Sequence, residues 1–406
     1  MSVFDRRSFL ATSAGAALMA ATPALAQAGG EDAKLRAQLD AMFETLVDDS
    51  PRFATSLGLD KDKRAGLKSQ LDDNSGAAKA RRLERSRGWL KDLKAVDRAK
   101  LSPSSKIDLD VVLYQQEAAV RNGDKYKFGD VGGNFSPYVI SQRGGAYANV
   151  PDFLDSQHKV ATTDDAQAYL SRLRAFAVAM DNDVARQRVD VAAGVIPPDF
   201  VCDLAIGQMK ALRDQPLEKI ILVTSIAKKA KAANLTGDWA GQAAKIVQGE
   251  VFPALDRQIA AMQAVRAKAK PDTGARSLPN GEAYYADAVK ASTTTNYTPQ
   301  AVHQLGLDQV ADISRRLAAL LKAQGLTQGT VGQRLMKLNE DPKQVYPAHD
   351  DGRAQLLADL NVHVTDMYKL LPQAFRTLPK AKVEVRRVPV FIQRSAARRV
   401  GKECRS

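Results

Sequence analysis

Behind Thr162-Thr163-Asp164-Asp165, the residues Tyr169, Leu170, Leu173, Phe176 and Met180 recur at the spacing that gathers them on one face of a helix. The acidic start suits the positive end of the helix dipole. A stripe this apolar must be covered, and the rest of the chain offers mostly further helices to cover it. Leu35, Leu39, Met42, Phe43 and Leu46 share a face that ends at Asp48-Asp49-Ser50-Pro51. Helices are predicted over about 77–97, with Leu83, Leu90 and Leu93 inward, and about 104–120, where Ile107, Val111 and Tyr114 recur. Ser102-Pro103 separates those two. Pro197-Pro198 opens another helix with Val201, Leu204 and Leu212, and further segments fill about 216–232, 237–266 and 281–291. After Thr298-Pro299, Val302, Leu305, Ile313, Leu317 and Leu320 form a stripe, and Leu356, Leu360, Val364, Met367 and Leu371 form the last, over about 351–373. With aromatics at 6% and Ala, Leu, Lys and Arg abundant, the chain reads as mainly α.

Two stretches depart from this period. Residues 122–150 are rich in Gly and carry Phe128, Phe135, Tyr138 and Tyr147 without periodicity, which predicts a long ordered loop. Residues 383–391, Val-Glu-Val-Arg-Arg-Val-Pro-Val-Phe, alternate and are β-branched, so one terminal β-strand is expected there; Pro389 pushes it toward an edge. At 406 residues the chain can bury a sizeable core as one large domain or two. Its two cysteines, Cys202 and Cys404, exclude a disulfide framework and a Cys-based zinc site.

The formal charge is +13, but residues 394–406 carry a net +4 and residues 1–28 a net +1, which leaves +8 for the remainder. No helix clusters basic residues on one face between aromatic ones, so nucleic acid is not an expected partner. The N-terminus has the layout of a cleaved export signal: Arg6-Arg7 before Phe9-Leu10, a weakly apolar run, then small residues that allow cleavage after Ala26 or Ala28. The paired arginines resemble a twin-arginine signal and point to a periplasmic or secreted protein. No other stretch approaches the ~18 apolar residues of a membrane span, so none is expected after signal cleavage.

Four histidines occur, His158, His303, His349 and His363, none in an HExxH or similar ligand spacing. His363 has Asp359 and Asp366 on its face, and His349-Asp350-Asp351 precedes a helix; a surface or capping role accounts for both. Nucleotide-binding glycine patterns and the serine-hydrolase elbow are missing. Tyr284, Tyr285, Thr293, Thr294, Thr295 and Tyr297 supply hydroxyls that could line a pocket, although such residues at a helix end more often serve packing and capping.

Several segments in order resemble the bacterial family catalogued as domain of unknown function 885. They include Pro51-Arg52-Phe53-Ala54-Thr55-Ser56-Leu57-Gly58, Leu101-Ser102-Pro103 and Ala168-Tyr169-Leu170-Ser171-Arg172-Leu173, followed by Gly194-Val195-Ile196-Pro197-Pro198-Asp199. Gly281-Glu282-Ala283-Tyr284-Tyr285, Thr293-Thr294-Thr295-Asn296-Tyr297-Thr298-Pro299 with His303-Gln304-Leu305-Gly306, and Val383-Glu384-Val385-Arg386-Arg387-Val388-Pro389 complete the series. The resemblance implies a large helical, zincin-like protein, a zinc-dependent peptidase or related hydrolase acting on peptide or small amide substrates. In such proteins an HExxPGH helix after the Val-Glu-Val-Arg strand binds zinc and supplies the general base. The present sequence stops before that motif, so no zinc ligand or catalytic base is assigned to it, and the chain by itself is expected to be inactive. The residues that the resemblance leaves for a cleft or its packing are Tyr284, Tyr285, Thr294, His303, Val385 and Arg387.

The expected organisation is therefore an export signal over 1–28, a helical domain over 29–393 incomplete at its C-terminus, and a non-native tail over 394–406 whose sequence resembles a translated sequencing adapter. The competing expectation is a periplasmic helical binding or scaffold protein that needs no metal.

Overall fold

A computed structural model describes residues 30–130, 135–272, 274–343, 345–383 and 385. The expected signal over 1–28, the tail over 394–406, Arg387 and most of the 383–391 segment lie outside these residues. Among the described residues the regular structure is helical, with no strand, and the chain is mainly α as its periodicity predicts. It divides into two compact units, one running to Pro299 and one from Gln300 onward.

The first unit begins with α1 (Gly30–Asp49), α2 (Pro51–Leu57) and a 3-10 stretch (Asp62–Ser69), followed by α3 (Gly76–Lys94) and α4 (Pro103–Lys125). After an irregular loop come α5 (Ala146–Ser156) and the long α6 (Thr163–Ala192), then α7 (Asp199–Arg213) and α8 (Ile221–Ala232). The next helix, α9 (Trp239–Ile246), passes through a π-helical turn (Val247–Val251) into α10 (Phe252–Arg266), and α11 (Gly281–Thr293) closes the unit.

At the centre is α6. Thr162 caps it by accepting from the Asp165 N–H at 3.2 Å, while the Asp165 carboxylate accepts from the Thr162 N–H at 3.0 Å. Tyr169, Leu170, Leu173, Phe176 and Met180 are all fully buried, packed with residues of α5, α7, α8, α9 and α10. Each such side chain contributes roughly 1.5–3 kcal/mol by leaving water. The Tyr169 hydroxyl also donates to the Leu222 carbonyl at 3.0 Å.

Helix phase differs from expectation on α4. Leu109 and Val112 face inward, whereas Ile107 and Val111 are 63% and 43% exposed. Both sets satisfy the helical period, and packing against α3 selects the first. Leu46 and Leu204 are likewise exposed.

The second unit holds α12 (Pro299–Ala323), α13 (Val331–Glu340) and α14 (Asp350–Ala374). The stripes expected to face inward are largely open here: Leu305, Ile313 and Leu320 on α12, and Leu360 and Met367 on α14, are exposed, with Leu317, Val364 and Leu371 half-buried. The expected terminal strand is not formed at Val383 or Val385. Among the described residues no extended neighbour pairs with Val383, and its N–H donates to the Tyr368 hydroxyl at 3.0 Å.

Candidate functional site

The described parts of the irregular segment between α4 and α5, residues 126–130 and 135–145, are built into a wall by contacts from three helices. Gly129 sits at φ +55°, and a Cβ there would lie 2.4 Å from the Ser136 carbonyl oxygen, so only glycine lets the loop close through the paired Asp130 and Ser136 backbones. Its N–H donates to the Asp190 carboxylate at 3.0 Å, and its carbonyl accepts from Lys79 Nζ at 2.7 Å and Arg186 Nη2 at 3.1 Å. Beneath the loop, Tyr126, Phe128, Phe135 and Tyr284 pack edge-on or stacked with ring centroids 5.1–6.3 Å apart. Lys125 and the Tyr126 hydroxyl both donate to Asp287 of α11, at 2.7 and 2.6 Å, which ties α11 to the end of α4.

The described residues of the loop, the start of α2, the 71–74 segment, α5 and α6 line a partly open cavity of about 290 Å³. Its polar walls include Arg52, Asp72, Asn74, Tyr138, Asp183 and Arg186. Arg52 is fixed by Asp72, which accepts from its backbone N–H at 2.9 Å and its Nε at 2.8 Å. Asp183, 3% exposed, accepts from Asn74 Nδ2 and from the Ala146 N–H, each at 2.6 Å. The second bond caps α5 from outside: Gly145, at φ +117°, has no side chain to do so, and a carboxylate on α6 takes its place at the positive end of the helix. Burial pushes Asp183 up to about 6, against the lowering effect of the Ala146 N–H and of Arg186. Arg186 donates only to the carbonyls of Asn74 and Gly129, and forms no ion pair among the described residues.

A second polar cluster lies deeper. Arg172, fully buried, donates to His158 Nδ1, the Thr55 hydroxyl and the carbonyls of Gln70 and Leu67. Because a guanidinium only donates, His158 must accept at Nδ1 and carry its proton on Nε2, which lies 3.0 Å from the Asp165 carbonyl.

The residues singled out in the sequence are dispersed. Tyr284 is buried in the aromatic cluster behind the loop, its hydroxyl without a hydrogen-bond partner. Tyr285 is 53% exposed, and Thr294, at φ +55°, ends α11 with its hydroxyl on the Thr293 carbonyl. His303 is exposed on α12, and Val385 is half-buried. His349 accepts from the Gly352 N–H at the start of α14, whose first turn holds Asp350 and Asp351 as the sequence predicts. The acids flanking His363 are engaged elsewhere, Asp359 by the Tyr346 hydroxyl and Asp366 by Lys369.

Zinc does not fit these side chains. Both ring nitrogens of His158 are taken, and among the described residues no three His, Cys, Asp or Glu side chains stand close enough to hold an ion.

The cavity residues Asn74, Asp183 and Arg186 are not conspicuous as motifs. The available signal is that Asp183, Gln187 and Asp190 interrupt the buried stripe of α6 with polar groups.

The pattern of the bacterial family described as "Bacterial protein of unknown function (DUF885)" matches residues 51–401. The crystal structure of the putative lipoprotein from Colwellia psychrerythraea is similar at 25% identity with a TM-score of 0.82, over 90% of this chain and 63% of that one. This chain thus spans less than two thirds of that protein's length. No curated protein matches it. Among the described residues no helix is long and apolar enough to cross a membrane.

Proposed function

The chain belongs to this bacterial family, and on that premise we propose that it is the helical, substrate-holding portion of an exported zinc-dependent peptidase or related amide hydrolase. The observation that carries the reading is the polar cavity against α6, where Arg186, held by carbonyls and in no ion pair among the described residues, brings a positive charge and Asp183 a buried carboxylate. Such a site suits a small ligand with groups of both signs. Zinc and its ligands belong, in this reading, to residues other than those described, and the greater length of the similar Colwellia protein leaves room for them. Export is supported by that neighbour's lipoprotein name and by the Arg6-Arg7 signal pattern.

The test is to read the genomic frame past codon 393 and assay the extended protein on dipeptides and casein. An in-frame HExxPGH motif with hydrolysis that a chelator abolishes is the expected outcome. A stop codon or unrelated sequence, together with ligand binding and no hydrolysis, would favour a periplasmic binding or scaffold protein instead.

A further inference from the structure

The cavity combines small size with an unequal pair of arginines and a buried acid. Its volume, about 290 Å³, sits at the small end of ligand pockets. Of the arginines, Arg52 is ion-paired with Asp72, whereas Arg186 forms no ion pair among the described residues: it donates to two carbonyls, at 3.4 and 3.1 Å, with Asp183 and Asp190 near enough to feel its charge. Carbonyls hold the guanidinium in place while leaving it able to take a carboxylate, its best bidentate partner. Asp183, one turn away on the same helix, is fixed by two donors at 2.6 Å, and each carboxylate oxygen keeps a lone pair for a third.

Behind the wall, the Tyr284 hydroxyl is buried and has no hydrogen-bond partner among the described residues, and Tyr138, a residue of the cavity wall, packs against the cluster that holds it. A buried hydroxyl left unpaired is costly in a purely structural role.

We propose that the cavity binds a small zwitterion of amino-acid or dipeptide size, its carboxylate on Arg186 and its ammonium toward Asp183. This rests on the hydrolase reading for its biological meaning but not for its test, because binding is measured on the chain as it stands, without metal or turnover.

The probes are L-alanyl-L-alanine, its C-terminal amide and its N-acetyl derivative, titrated calorimetrically into the purified chain. The free dipeptide should bind saturably, and each blocked form at least about tenfold more weakly, since each loses a charge-assisted contact. Arg186→Gln should abolish the discrimination against the amide. Because Arg186 also holds the Gly129 loop, a second variant keeps the test independent of folding: Asn149→Asp adds a negative charge at an exposed position of the cavity lining and should weaken the free dipeptide more than its amide, with an unchanged melting profile. Equal affinity for dipeptide and amide, or no binding up to about 10 mM, a range where even the weakest specific contacts register, would overturn the proposal. If binding fails here while the extended protein hydrolyses peptides, the site is wrong and the hydrolase reading stands; binding here with no hydrolysis by the extended protein upholds the site and removes the hydrolase reading.

Discussion

Arg172 donates through Nη1 to His158 Nδ1 at 2.7 Å, and both side chains are buried, at 0% and 1% exposure. The pair joins α6 to the segment before it, while the other arms of the guanidinium reach Thr55 of α2 and the carbonyls of Leu67 and Gln70. One side chain therefore organises four separate stretches of backbone. Removing it leaves each acceptor buried without its donor. Arg172→Ala is expected to lower stability by about 3–5 kcal/mol, with Arg172→Lys recovering only part, because an ammonium lacks the planar fork. Urea midpoints measure this, and a loss below about 1 kcal/mol would contradict the organising role.

Two buried groups give opposite pH slopes. Burial lowers His158 to about 4, with Arg172 adding to the effect, so the imidazole is neutral in the fold. Its contribution is complete above the unfolded value near 6.5 and is lost as pH falls from there toward 4. Burial raises Asp183 to about 6, so the native state holds its proton more tightly than the unfolded chain does, and stability falls as pH rises from about 4 to 6. Each is worth on the order of 3 kcal/mol. Denaturant midpoints across pH 4–7 should show the wild type losing stability relative to Asp183→Asn as pH rises, and gaining relative to His158→Gln. A flat difference for either variant would show that the group titrates alike in both states.

Two glycines should respond in opposite directions to alanine. Gly129→Ala forces a Cβ against the Ser136 carbonyl at a left-handed φ, and is expected to destabilise by at least about 1–3 kcal/mol. Gly207, inside α7, has nothing within 4 Å of a new Cβ, and Gly207→Ala should stabilise by about 0.5–1 kcal/mol. Thermal melts of the two variants side by side give the comparison, and a harmless Gly129→Ala would mean the loop closes in some other way.

The apolar faces of the second unit predict self-association. Val310 and Leu320 on α12 are 62% and 65% exposed, and Val362 and Met367 on α14 are 59% and 56% exposed. Exposed apolar side chains at this density bind apolar dyes and other copies of the same chain. Val310→Lys with Leu320→Lys should reduce dye fluorescence and aggregate mass in light scattering while leaving helicity unchanged. Unaltered association after both substitutions would place its cause elsewhere.

The helices of the first unit are legible in the sequence because their burial is determined locally: α6 carries a strong apolar stripe from Tyr169 to Met180 behind its own cap. α4 carries two stripes of equal period, and only its neighbour decides between Ile107 with Val111 and Leu109 with Val112. The cavity is less legible still. Asn74 meets Asp183 across 109 residues of sequence, and Arg186 gains its meaning from a loop carbonyl that periodicity cannot locate. Tyr284 stands out as a candidate from its residue type, yet the structure gives it a place behind the wall and not on it.

In the proposed function the hydrolytic metal centre depends on residues other than those described, the present helices supplying the cavity. Equilibrating the purified chain with zinc, removing the excess, and measuring bound metal alongside dipeptide hydrolysis tests this most directly. We expect well under one zinc per chain and no hydrolysis, with both appearing in the extended protein. One tightly held zinc per chain, lost together with hydrolysis when His303 or His363 is replaced by alanine, would contradict it.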